Sequence, residues 1–338
     1  MTEPLPPGWI VRPQEVEAKL REFRNKFPGL VDLEFERQFV GLKLYAITLT
    51  DKLRPATRKR RLLVVVPHAH EPAGTAACIA FASQVLTGKH PNGSPSDLPR
   101  GEVLRKLLIT LIPDGNPDGR ARSPRDSWQG EVPNEEFYRI MHGDAPDHRK
   151  FWPEHPEFDN AVEKIAHPGI VYEQISATEY AEGNQSKRTA LWRLIDRLTS
   201  RLAHDMFLNL HQGMENDAEP PWDAHDAWLE HPTQDWIPKD AQEYAASWAQ
   251  DVLKAWERAG AKPYRMTGNY GGTMGRADPK DSATRRQWLI DWVTVKTGVP
   301  ELTVEVQNNS KKTPCDKQMR WQEVAIRASV DRLIKEWT

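Results

Sequence analysis

The chain has 338 residues, 38% of them hydrophobic, enough to bury a large core. Its 46 basic and 48 acidic residues leave a formal charge of −2, which argues against nucleic acid or an anionic membrane as partner. No apolar run approaches the roughly 18 residues of a membrane span, and Cys78 and Cys315 make no disulfide framework.

The opening segment, MTEPLPPGWIVRP, lacks the basic and apolar regions of a signal peptide, so a cytoplasmic protein is expected. A secreted form already trimmed of its leader would read the same way. Residues 13–27 have helical periodicity, and 33–50 read as two strands around Gly41. RLLVVV, at 61–66, is a continuous apolar run, as expected of a strand covered on both faces. A small-residue helix follows over 73–86, then a buried strand over 104–112 and dense turn chemistry in PDGNPDG, 113–119. Further on come a helix over 186–204, a strand over 205–210 and an amphipathic helix over 240–260 closed by Gly260. A strand over 300–307 and a terminal helix over 316–337 complete the pattern. Buried strands alternating with helices predict an α/β fold with a largely parallel sheet. We expect one domain over 1–338, with long insertions at about 120–185 and 214–239.

The stretch VVVPHAHEPAG, 64–74, ends a buried strand in two histidines and a glutamate. Pro72 biases Glu71 away from the helical region and suits the first position of the next helix. His68 therefore sits at a strand's C-terminal end and Glu71 just before a helix, on the edge where open α/β sheets bind ligands. His211 ends the later strand DMFLNL in the same way, and parallel strands bring such ends to one edge. Two imidazoles and one carboxylate leave a position open for water, the coordination of a catalytic zinc site. The plainer reading makes Glu71 a helix cap and leaves the histidines bonded locally. His70 is a rival ligand; in extended chain it points away from His68, toward supporting contacts or solvent. Glu305, in the apolar run ELTVEVQ, needs a partner or a task; beside an activated water it is a general base. Glu301 shares its face but lies at the strand's start.

Together these places resemble the zinc carboxypeptidases of the carboxypeptidase A type. PHAHEPAG looks like the family's H-x-x-E, with His68 and Glu71 as ligands; FLNLHQG is similar to its later histidine, His211; LTVEVQ looks like its catalytic glutamate, Glu305. NPDGR, 116–120, resembles the N-P-D-G turn, and LIDW, 289–292, the I-D-W segment that would put Ile290 at the floor of the side-chain pocket. Order and spacing match from about residue 60 to 310, and the terminal helix also fits. The resemblance implies an α/β/α sandwich around a mixed, mostly parallel eight-stranded sheet, one Zn2+ ion per chain, and hydrolysis of a peptide or amino-acid conjugate.

The departures are specific. No Asn-Arg pair, the family's grip on a terminal carboxylate, occurs in 120–210. The nearest substitutes are Arg122, Arg125 and Arg139, with Arg122 or Arg125 as the oxyanion-stabilising cation. Tyr270, in GNYGGTMGR, would stand in for the family's mobile tyrosine. Arg285 and Arg286 are placed either to bind an acidic side chain or on an outer helix face. Trp222, Trp228 and Trp236 cluster after His211, as a wall for a flat substrate or as ordinary packing. Asp114 is either an orienting partner for a zinc-bound histidine or a turn cap. Two alternatives stand beside the peptidase: an aspartoacylase-like deacylase of small N-acyl amino acids, and an inactive relative serving as a binding module.

Overall fold

A computed structural model describes residues 4–126, 128, 132–144, 160–213, 225–233, 237–267, 293–294, 296–308 and 311–337. An antiparallel hairpin, β1 (Val31–Arg37) and β2 (Lys43–Leu49), follows helix α1 (Pro13–Lys26). Then come β3 (Arg60–Val65), α2 (Pro72–Thr87), α3 (Arg100–Lys106), β4 (Leu107–Ile112) and α4 (Pro117–Arg122). The middle of the chain carries α5 (Asn134–His142), the short strands β5 (Asn160–Glu163), β6 (Tyr172–Gln174) and β7 (Tyr180–Ser186), and α6 (Ala190–Arg201). The last third holds β8 (Met206–Gly213), β9 (Ala227–Glu230), α7 (Lys239–Ala259), β10 (Pro263–Thr267), β11 (Glu301–Gln307) and α8 (Cys315–Lys335).

The main sheet has eight strands in the order β1-β2-β4-β3-β8-β11-β9-β10. Its centre, β4-β3-β8-β11, is parallel, and β2–β4 and β11–β9 are the antiparallel joints to either wing. The expected mixed, mostly parallel eight-stranded sheet is therefore present, with helices around it.

Strand alternation sorts the core into two layers. Leu62 and Val64 of β3 join Leu208 and Leu210 of β8 and Leu302, Val304 and Val306 of β11 in one cluster. That cluster is completed by Leu20 and Phe23 of α1, Phe81 of α2, Trp248 and Trp256 of α7, and Ile326 of α8. Leu63 and Val65 point the other way, with Phe207, onto Leu191, Leu194, Ile195 and Leu198 of α6. Continuous apolar strands are thus explained by cover on both faces.

Where the sequence pattern ran short, the structure differs. Residues 100–106 are helical and the strand begins only at Leu107; Val103 and Leu104 fill the core from α3. The 120–185 stretch holds α5 and a separate three-stranded antiparallel sheet, β5-β7-β6, and 214–239 contributes β9 to the main sheet. β5, β6 and β9, of three or four residues, are too short to leave a readable period, and the seven residues of β7, YAEGNQS, hold no apolar alternation. Gly260 closes α7 in the left-handed region, at φ 91°, as its sequence position indicates.

Candidate metal centre and active site

Three neighbouring strands deliver the site. β3 ends at Val65 and leads into a turn over His68–Glu71, after which Pro72 opens α2. β8 lies beside β3 with Val65 opposite Asn209, so His211 stands just past the end of β3. β11 lies beside β8 with Glu305 opposite His211.

His68 Nδ1 is 2.8 Å from Glu71 Oε1 and 3.1 Å from His211 Nδ1, and His211 Nδ1 is 3.2 Å from Glu71 Oε2. Among the described residues these three form the one His/Cys/Asp/Glu group able to hold a metal ion, with ligand atoms within 4.8 Å of one another. Two imidazole nitrogens and a carboxylate at these separations suit a tetrahedral zinc, whose ligand atoms at bonds of ~2.0–2.1 Å lie about 3.3 Å apart. Glu71 is 3% exposed and His211 7% exposed, so the donor set is withdrawn from bulk water.

His68 Nε2 lies 3.3 Å from Glu182 Oε1, on β7. A carboxylate on the far nitrogen fixes the ring's tautomer and orientation, a usual support for a metal-ligating histidine. Glu182, rather than Asp114, has this place: Asp114 Oδ1 accepts the Asn116 backbone N–H, so its turn-capping reading holds. Burial pushes the Asp114 carboxyl up to about 6 despite the Arg120 charge. Burial alone would lower the His68 pKa, but Glu71 and Glu182 outweigh it and hold it at about 10. Glu71 goes the other way: burial raises it, and His68, His211 and His70 together draw it well below the usual carboxylate range.

His70 is neither exposed nor turned away. It is 5% exposed, stacks on His68 with centroids 5.2 Å apart, and sets Nε2 3.2 Å from Glu71 Oε1. The chain turns at residues 69–70 instead of running extended, so strand alternation does not apply there.

Buried amides hold the ligand-bearing backbone. Gln322 Nε2 donates to the His211 carbonyl at 2.6 Å and Asn308 Nδ2 to that of His70 at 3.2 Å. Gln212 Oε1 accepts the Ala73 N–H at 2.7 Å, and its Nε2 donates to Gln318 Oε1 at 2.6 Å, tying α2 and β8 to α8. Asn116 caps α4, accepting from Gly119 N and donating to the Ile170 and Val171 carbonyls. That turn delivers Arg120, which is 0% exposed. Its Nη2 donates to the His68 and Glu71 carbonyls at 3.2 and 3.1 Å and to Thr75 Oγ1 at 3.3 Å. Sequence reasoning passed over Arg120, although it stands in NPDGR directly after the turn residues.

Glu305 stands opposite His211 with Oε2 buried, and burial, Glu71 and Glu230 raise its pKa well above the carboxylate norm. Trp228 is 6% exposed and packs close to Gly213 beside Glu305 Oε2, as wall material rather than an open platform. Glu301 is buried at the strand's start and accepts from Thr303 Oγ1 at 2.6 Å.

The other arginines are engaged elsewhere. Arg122 donates to the Tyr172 carbonyl and pairs with Asp118; Arg125 pairs with Glu15 of α1; Arg139 pairs with Glu136 on an exposed face of α5. None of the three bonds to His68, Glu71, His211 or Glu305: Arg122 on α4 and Arg125 in the segment after it reach neighbouring elements instead, and Arg139 pairs within α5. Tyr270, Ile290, Arg285, Arg286, Trp222, Trp236 and the LIDW segment lie outside the described residues.

Among the described residues no helix is long and apolar enough to cross a membrane. A search of curated proteins finds no match. Solved structures share the fold. Bovine thrombin-activatable fibrinolysis inhibitor in complex with tick carboxypeptidase inhibitor is 14% identical, over 96% of this chain and 97% of that one, with TM-score 0.58. Carboxypeptidase A from Helicoverpa armigera is 13% identical over 95% and 74%, with TM-score 0.56. A metallo-carboxypeptidase from Burkholderia cenocepacia is 13% identical over 94% and 69%, with TM-score 0.54. The family model described as zinc carboxypeptidase matches residues 16–327, nearly the whole chain, and this protein therefore belongs to the zinc carboxypeptidase family of metal-dependent hydrolases.

Proposed function

We propose that this chain is a zinc-dependent carboxypeptidase that hydrolyses a C-terminal peptide bond or amino-acid conjugate, with His68, Glu71 and His211 holding one zinc and Glu305 as its proton carrier. The observation that supports it most is the register of β8 and β11, which sets Glu305 opposite a member of the His68–Glu71–His211 group. Zinc bound there would polarise the scissile carbonyl and bring the pKa of a water to about 7. Glu305 takes the proton of the attacking water and then gives it to the departing nitrogen. Its raised pKa suits a group that must both accept and release a proton. Glu182 keeps His68 in one tautomer, and Arg120 with the buried amides keeps the turn from drifting.

The test is metal analysis and peptide hydrolysis of zinc-loaded protein, with Glu305→Gln alongside. The variant should keep about one zinc and lose ~10²–10⁴ in kcat. Full activity in Glu305→Gln, or no stoichiometric zinc in the parent, would sink the proposal. One observation favours the deacylase as a second reading: Arg122, Arg125 and Arg139, the expected carboxylate grips, all have other partners. Release of an acyl group from N-acyl amino acids, with no residue released from a peptide panel, would select it.

A further inference from the structure

The two oxygens of Glu71 have different surroundings. Oε1 lies 3.2 Å from His70 Nε2 and 2.8 Å from His68 Nδ1. Oε2 is buried and accepts no hydrogen bond among the described residues; His211 Nδ1 stands 3.2 Å from it without bonding geometry. A neutral imidazole carries one N–H, and Glu182 claims that of His68 at Nε2. Once His68 Nδ1 turns its lone pair to a metal, His70 is the donor left on Oε1.

His70 is built to stay there. Its ring is 5% exposed, stacks on His68 at 19° and meets the Phe137 ring edge-on at 74°, with centroids 6.1 Å apart. Asn308 Nδ2 holds its carbonyl at 3.2 Å. A carboxylate only accepts, so the proton sits on Nε2 and Nδ1 bears the lone pair. Nδ1 is buried and has no partner among the described residues. An apolar ring of the same shape would avoid that orphaned acceptor, so what the imidazole adds is its Nε2–H. His70 itself lies outside the group able to hold the ion.

We propose that His70 is a positioning residue that keeps Glu71 a one-oxygen ligand, engaging Oε1 and reserving Oε2 for the zinc. An oxygen that already accepts an N–H is the weaker donor to a metal. One oxygen and two imidazoles leave a coordination position open for water. Without the N–H both carboxylate oxygens reach the ion and crowd that position. The inference rests on the zinc site of the proposed function, not on its substrate.

The experiment uses the full chain loaded with zinc, and X-ray absorption at the zinc edge to count the nearest nitrogen and oxygen neighbours. The parent should show about four, and His70→Phe, which keeps the stacked ring but has no N–H, about five. His70→Gln, whose amide N–H can reach the same oxygen, should return toward the parent. Cobalt in place of zinc gives an independent count, because the visible bands of a four-coordinate ion are stronger than those of a five-coordinate one. Zinc affinity, from competition against a chelator, should fall about 10–100-fold in His70→Phe. A fall in affinity with the neighbour count unmoved is what a purely structural ring would give, and it overturns the assignment. So does a parent count of about five, which decides the matter alone if His70→Phe does not fold, as a parent count of about four then upholds it. A parent with about four neighbours that cleaves no peptide upholds His70 while the carboxypeptidase reading falls. No stoichiometric zinc in the parent removes both.

Discussion

Replacing Arg120 by Met removes a buried guanidinium while keeping much of its volume. The side chain is 0% exposed, and its Nη2 serves two carbonyls and one hydroxyl at 3.1–3.3 Å. Thr75 can turn its hydroxyl to another acceptor, so the His68 and Glu71 carbonyls bear most of the loss, about 1–3 kcal/mol for each one left unsatisfied. Burying the guanidinium is itself costly, and Met relieves part of that cost. The net destabilisation should be about 2–4 kcal/mol. With an unfolding entropy of ~2.1 cal/mol/K per residue over 338 residues, the metal-free protein should melt about 3–6 °C lower. The same turn carries two members of the ligand group, so zinc affinity should fall about 10–100-fold, as when an outer partner of a metal site is lost. Thermal melts of metal-free protein and competition against a chromophoric chelator measure the two effects separately. Arg120→Lys, which keeps the charge but not the fork, should fall between parent and Met. A Met variant that melts within about 1 °C of the parent and binds zinc within about twofold would refute the reasoning.

Gly213→Ala would put a Cβ 2.7 Å from the Trp228 ring and 3.2 Å from Glu305 Oε2, so the indole must move. We expect a loss of about 1–3 kcal/mol in a melt together with a lower kcat, and unchanged values of both would contradict the packing described. Glu182→Gln should weaken zinc binding about 10–100-fold while leaving the fold intact by circular dichroism. His204 is 6% exposed, and burial, helped by Arg61, lowers its pKa to about 4. Its folded pKa lies below its unfolded value, so its contribution is present above about 6.5 and is lost as pH falls toward 4, on the order of 3 kcal/mol. Denaturant titrations at pH 7 and pH 4 should show that difference shrink in His204→Gln; an equal slope in both proteins would place the titration elsewhere.

The strands RLLVVV and DMFLNL and the helices that flank them are legible in one dimension, because burial on both faces writes long apolar runs and helices write a 3.6-residue period. His68, Glu71, His211 and Glu305 are legible for the same reason: each breaks such a run at its end, where a polar side chain demands a purpose. β9 and the small β5-β7-β6 sheet are not: β5, β6 and β9 have only three or four residues, and β7, YAEGNQS, carries no apolar alternation. The supporting partners are hidden for a different reason. Glu182 meets His68 across 114 positions of chain, and Gln322 meets the His211 carbonyl across 111; no local pattern records such a distance. Arg122 and Arg120 look alike as residues of one short helix, yet burial ties Arg120 to the turn and leaves Arg122 to Asp118 and Tyr172. The sequence by itself determined the fold class, through hydrophobic period, and singled out His68, Glu71 and His211, which the fold gathers into a group able to hold a metal ion. Only the tertiary structure decided which carboxylates and guanidinium support that group, because hydrogen bonds depend on distance in space and angle rather than on order along the chain.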